Sequence, residues 1–221
     1  MKPWSRRRAL IFQGYLLGAV VAFFLLAVLA RTVAYFAFDV TITHAIQEFS
    51  AGWFAVLLHA LSWIGFAPQA YVISLAILAF LYARNLKWET VVMSASAIGV
   101  SILGIAIKLA VNRPRPSANL INVVSQLDDF SFPSGHVLYF TAFFGFLLFL
   151  VYAVLKNSWR RTMLLVIFGG MVALIGWSRI YEGQHWASDV LAAYLLGSVW
   201  LTLSIYFYHW GKPRFFVKNL E

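Results

Sequence analysis

The chain contains no cysteine and only 8 acidic residues among its 221. Without cysteine there is no disulfide framework and no thiolate metal site, and the redox compartment is left open. Charge of either sign is scarce: Asp, Glu, Lys and Arg make up 11%, against roughly 25% in an ordinary soluble domain. What fills the space is apolar, 62% of residues, with 18% aromatic, the composition of a membrane protein. The connections between apolar runs are too short to hold a second folded unit, so residues 1–221 read as a single membrane-embedded domain.

The net charge of +9 does not point to nucleic acid. The lysines and arginines sit in short blocks between apolar segments, as lipid-headgroup contacts and topology signals do. The start, MKPWSRRR, followed by an apolar run over 9–30, superficially resembles a signal peptide. That run exceeds the roughly 7–15 residues of a signal-peptide core and ends without a clean cleavage site, so it is read as a retained first span.

A membrane-crossing helix needs about 20 mostly apolar residues. Six segments approach that length: 9–30, 62–82, 90–111, 137–155, 162–177 and 186–208. The fold class expected is therefore all-α, a polytopic bundle of six transmembrane helices. Residues 53–66 are apolar but too short to cross alone, and 39–50 (DVTITHAIQEFS) reads as an amphipathic interfacial helix between spans one and two. Charge placement favours six over seven. Six spans with both termini cytoplasmic put Lys2, Arg6, Arg7, Arg8, Arg84, Lys87, Lys156, Arg160, Arg161, Lys212, Arg214 and Lys218 on one side. A cell (inner) membrane is the location expected. Of the remaining basic residues, Arg31 ends the first span and is read as snorkelling. Lys108, Arg113, Arg115 and Arg179 break the rule on the opposite face, and charges that do so at the membrane edge are functional candidates.

Three stretches border that extracytoplasmic face: KLAVNRPRP from Lys108, FPSGH ending at His136, and SRIYEGQHWASD from Ser178 to Asp189. Lys108, Arg115 and Arg179 supply cationic donors, and the arginine fork suits phosphate oxygens. Ser134 and Gly135 stand where a helix begins, with free N–H groups and a positive dipole end. His185 and Asp189, four apart, are expected on one helical face, with the carboxylate accepting from Nδ1 and leaving Nε2 as nucleophile. His136 is then a second imidazole, able to give and take a proton.

At these positions the chain resembles the type 2 phosphatidic acid phosphatase family, which also contains glucose-6-phosphatase and the vanadium haloperoxidases. The family pattern, Lys-x6-Arg-Pro, then Pro-Ser-Gly-His, then Ser-Arg-x5-His-x3-Asp, is met by Lys108, Arg115-Pro116, Pro133-Ser134-Gly135-His136, Ser178-Arg179, His185 and Asp189. The resemblance implies a cofactor-free, metal-free lipid phosphate phosphatase. In it His185 attacks phosphorus to give a phosphohistidine, Asp189 orients it, and His136 acts as acid and then base. Lys108, Arg115, Arg179, Ser134 and the Gly135 amide would hold the equatorial oxygens. Partners expected are a membrane lipid phosphate and the bilayer, with no nucleic acid and no obligatory protein partner. Phosphatidic acid, phosphatidylglycerol phosphate and undecaprenyl pyrophosphate all fit a site at headgroup level. The extra Arg-Pro at Arg113 leaves a register shift open, although the spacing favours Arg115.

Blander assignments cover the rest. His44 and His59 read as interfacial or packing residues, Glu182 and Gln184 receive no catalytic role, and Asp128-Asp129 lacks the further carboxylates a metal needs. Tryptophans 53, 63, 88, 177 and 186 fit an aromatic belt, and Gly169-Gly170 reads as a point of close helix packing. Two competing functions are a lipid-phosphate transporter or scramblase without catalysis, and haloperoxidase chemistry. The intact His185–Asp189 pair weighs against the first and the six spans against the second.

Overall fold

The computed structural model describes residues 6–49 and 52–215; Lys2, Ser50 and Lys218, used in the sequence reading, lie outside the described residues. The described residues form eight helices: α1 (Arg6–Thr32), α2 (Ala37–Gln47), α3 (Gly52–Gly65), α4 (Ala67–Ala83), α5 (Lys87–Val111), α6 (Gly135–Val154), α7 (Trp159–Tyr181) and α8 (Ala187–Phe215). Among the described residues there is no strand. Five helices, α1 and α5 to α8, are long and apolar enough to cross a membrane, and the α3–α4 pair makes a sixth if taken as one span.

Span two departs from expectation. Residues 62–82 are not one straight helix: α3 and α4 meet at 75°. The break falls at Phe66, which caps α4 in extended conformation just ahead of Pro68 in the first turn. Proline is welcome there because its missing N–H would have had no helical partner, but no helix can continue through it from the preceding turn. The segment 53–66, set aside as too short, is therefore α3, and it packs on α7 while α4 packs on α5. The bend has a use. A Cβ at Gly65 would stand 2.1 Å from Cδ2 of His136, so only glycine lets the end of α3 close on that ring.

Helix α6 is the centre. Its sequence is apolar on every side, which suits a helix surrounded by others, and α5, α7 and α8 all pack against it. Phe140, Phe143, Phe144 and Phe146 are buried in this core. Where lipid offers as apolar a surface as leucine, close approach through small residues holds helices together. Gly145 receives Leu201, and Gly197 receives Thr141. The expected pair does not serve this purpose: Gly169 makes only an ordinary contact with Leu148, and nothing approaches Gly170.

Helix α1 lies along α8 and α5. Its outer turns, at Phe23 and Ala30, cluster with Val111, Phe132 and Ala192. The C-terminal ends of α1, α5 and α7 thus share one end of the bundle with the starts of α6 and α8.

Candidate active site

At that end the loops are set by helix termination. α5 stops at Asn112, whose left-handed conformation (φ 55°) closes the last turn with a bond from its N–H to the Lys108 carbonyl, 2.9 Å, and Pro114 and Pro116 prevent its resumption. The chain crosses the bundle mouth and returns through Ser131, whose N–H donates to the Arg113 carbonyl, into α6. After α7, Gly183 turns at φ 65°, with the Asn122 carbonyl 2.1 Å from where a Cβ would be. No other residue fits that turn.

Arg113 is the foundation rather than a ligand. It is fully buried, and donates to Asp39 Oδ2 (3.0 Å), Asp189 Oδ1 (2.5 Å), Ser188 Oγ (2.7 Å) and the Ala34 carbonyl (3.1 Å). Asp39 also accepts from the N–H groups of Ser188 (2.8 Å) and Phe36 (3.0 Å), the latter being half of a capping box on α2. Two buried carboxylates around one guanidinium tie α2, the α5–α6 loop and the start of α8 into one unit. The amphipathic segment is thus anchored by a buried acid at its start.

The expected His185–Asp189 hydrogen bond is corrected. Nδ1 of His185 lies 3.8 Å from Asp189 Oδ2 and donates instead to the Ser131 carbonyl at 2.7 Å. The reason is local: α8 starts at Ala187, so His185 precedes the helix, and the two residues do not share a helical face. Asp189 spends its second oxygen on the Trp186 N–H, 2.9 Å, as helix-start acids do. A carbonyl can only accept, so His185 carries its proton on Nδ1 and presents a bare Nε2. Burial, and then the positive charges of Arg115, Arg179 and Lys108, hold this imidazole well below its usual pKa, which keeps it neutral.

Arg115 reaches that nitrogen: its Nη1 is 3.4 Å from His185 Nε2 and donates to the Gln184 carbonyl at 2.6 Å. Its Nε bonds Asp129 Oδ1 at 2.9 Å, and its Nη2 reaches the same oxygen. Lys108 donates to Asp129 Oδ2 at 2.8 Å and to the Phe130 carbonyl. Burial pushes the Asp129 carboxyl up, but bonds from Lys108 and Arg115 outweigh it and bring its pKa down to about 2.

Arg179, fully buried, donates from Nη1 to Ser62 Oγ and to Glu182 Oε2 (3.0 Å). Glu182 also accepts from Ser62 Oγ (2.6 Å) and pairs with His59 Nδ1 (3.0 Å), so His59, read as an interfacial or packing residue, has an acidic partner. His136 joins the same cluster: its Nε2 donates to the Ser62 carbonyl at 3.2 Å, and the Phe66 ring touches both its imidazole and the Arg179 guanidinium. Nε and Nη2 of Arg179 and Oγ of Ser134 are buried with no partner. Ser134 caps α6 by position without using its side chain.

Sequence reasoning missed Asp39, Ser62, Ser131 and Asp129. Asp39 left a trace in the charge pattern, since Arg113 at the membrane edge required an anion. Ser131 acts through its carbonyl, which no side-chain pattern reports. Among the described residues no group of three or more His, Asp or Glu side chains is placed to hold a metal ion.

These features define a polytopic helical membrane protein with buried cationic side chains and two imidazoles gathered at one end of its bundle. A family model described as the PAP2 superfamily matches residues 89–213, more than half of the chain, and the chain belongs to that superfamily. It is 32% identical over 149 residues to the bacitracin transport permease protein BcrC of Bacillus licheniformis, covering 65% of this chain and 66% of that one. With phosphatidylglycerophosphatase B of Bacillus subtilis it shares 27% identity over 177 residues, 79% of this chain and 85% of the relative. A crystal structure of a transmembrane PAP2 type phosphatidylglycerolphosphate phosphatase from Bacillus subtilis superimposes with a TM-score of 0.75 at 23% identity, over 93% of this chain and 98% of that one, a likeness of fold.

Proposed function

We propose that this protein is a metal-independent lipid phosphate phosphatase working through a phosphohistidine on His185. One observation carries the reading: buried donors without hydrogen-bond partners, Arg179 Nε and Nη2, in a site where His185 is held with Nε2 unprotonated and met only by a long contact from Arg115 among the described residues. Orphaned charged donors are costly to bury unless a ligand takes them, and a tetrahedral phosphate supplies the acceptors. The Ser134 hydroxyl and the first N–H groups of α6 complete the cradle.

In this reading His136 enters the step as the imidazolium, its second proton on Nδ1 facing the anionic substrate; Nε2 of His185 attacks phosphorus, and the bond to the lipid oxygen breaks as that Nδ1 proton passes to the oxygen. Nε2 of His136 is committed to Ser62, so Nδ1 exchanges the proton. His136 then takes a proton from water, which attacks the phosphohistidine and frees orthophosphate. Lys108, Arg115 and Arg179 neutralise charge on the equatorial oxygens. Asp189 becomes a positioning residue, acting through Arg113 and the Trp186 N–H. The substrates that fit are phosphatidylglycerol phosphate, in keeping with the name of one relative, undecaprenyl pyrophosphate, in keeping with the names of two others, and phosphatidic acid. The site faces the extracytoplasmic side, and both termini face the cytoplasm.

The relative named as a transport permease supports a second reading, movement of a lipid phosphate without cleavage. Phosphate release from purified lipid phosphates, in EDTA, separates the two. The phosphatase reading expects turnover that His185→Ala reduces by at least about 10³-fold while the variant still folds. Turnover surviving in that variant overturns the nucleophile, and none in the wild type favours transport.

A further inference from the structure

The cations of the site are not equally available. Arg179 has two donors free, whereas Arg115 and Lys108 are engaged by the loop that joins α5 to α6, chiefly through one carboxylate. Asp129 spreads its two oxygens between them, Oδ1 on the Arg115 fork and Oδ2 on Lys108. That is the arrangement two phosphate oxygens would adopt on the same pair. Its side chain is 56% exposed, whereas those of Lys108 and Arg115 are 14% and 12% exposed. The loop's own backbone also meets the two cations, the Asp129 carbonyl accepting from Arg115 Nε at 3.0 Å and the Phe130 carbonyl from Lys108, but the exposed carboxylate can swing away by side-chain rotation while those bonds hold.

We propose that Asp129 is an internal competitor for the phosphate position: substrate must displace its carboxylate from Lys108 and Arg115, and its return helps expel the product. The inference deepens the phosphatase reading and rests on it only for the name of the ligand. The exchange is of one anion for another and moves no covalent bond. A monoanionic carboxylate on an exposed side chain gives way to a phosphate dianion that also satisfies Arg179 and Ser134. A weaker anion, lacking that charge, does not dislodge it, so the residue sharpens selection for doubly charged phosphate. The cavity of about 190 Å³ beside Arg115, lined by Ser125, Gln126, Asp128 and Gln184 among others, leaves room for the loop to shift.

The test is direct binding of orthovanadate and orthophosphate to the purified protein, which requires no turnover. Apparent affinity is the intrinsic affinity reduced by the fraction of molecules with the site open, and an exposed ion pair is worth little in water. Asp129→Asn is accordingly expected to bind both anions about fivefold more tightly. Equal or weaker binding in the variant overturns the proposal, because it would make Asp129 a support for the two cations. A second measurement leaves Asp129 in place. The chain lacks cysteine, so Gln126→Cys accepts a single fluorescent label, whose emission is expected to change when vanadate binds; no change overturns the displacement. A protein that binds vanadate as described yet hydrolyses no lipid phosphate would refute the enzymatic reading alone.

Discussion

At the scale of the residue, His185 is controlled by what surrounds it more than by its motif partner. A carbonyl fixes its tautomer, and three cations with burial keep it unprotonated. The sign matters for pH dependence. A depressed imidazole pKa means the nucleophilic form persists as pH falls below the ordinary value of about 6.5, and is lost only when pH drops through the lowered value. The acid limb of kcat/KM that belongs to His185 is therefore expected well below pH 6.5. Arg115→Gln should move it upward by removing the nearest of those charges. A wild-type limb at or above the ordinary value, unmoved in the variant, would contradict the electrostatic account. Residue types were legible in the sequence here because three spaced motifs place them. Their partnerships were not, since the Ser131 carbonyl and the onset of α8 are products of the backbone path.

At the scale of the element, the contrast between α2 and the α3–α4 pair shows what a hydropathy profile can and cannot contain. The five long spans announce themselves because lipid requires length and apolarity together. A 75° bend is invisible to an average over residues, although Pro68 following Phe66 marked the place. Helix α2 was legible as an amphipathic element, but its anchor was not. Asp39 sits in its first turn, where an acid is ordinary for dipole reasons, and only the fold reveals Arg113 and Ser188 around it. Removing one partner of a buried ion pair typically costs about 3–5 kcal/mol. Asp39→Asn should therefore lower the thermal unfolding temperature in detergent markedly, whereas Thr41→Ala, at an exposed position of the same helix, should leave it unchanged. If the two variants melt alike, the Asp39–Arg113–Asp189 cluster does not hold the site end together.

At the scale of the whole molecule, the direction of each helix is settled by contacts at the ends. Ala30 of α1 clusters with Val111 and Phe132, and Ala34 accepts from Arg113, so α1 finishes at the site end. Helix α5 also finishes there while beginning at the opposite end, because Trp88 donates to the Tyr208 carbonyl and Glu89 binds Lys212 near the end of α8. The chain between α1 and α5 must therefore run from the site end to the other, and the bent α3–α4 pair carries it across once. Arg84, Lys87, Lys156, Arg160, Arg161, Lys212 and Arg214 then gather at the far end, the one the proposed topology turns to the cytoplasm on the positive-inside rule. The absence of cysteine allows a clean check with Asn119→Cys in the site-end loop, Asn157→Cys between α6 and α7, and Arg8→Cys on the first turn of α1, all exposed. In right-side-out vesicles a membrane-impermeant maleimide should label position 119 at once, and positions 8 and 157 only after detergent. Labelling of 157 in place of 119 would invert the molecule in the membrane. Labelling of 8 together with 119 would show that α3–α4 dips into the bilayer and returns, which the arrangement of α1 beside α5 does not permit.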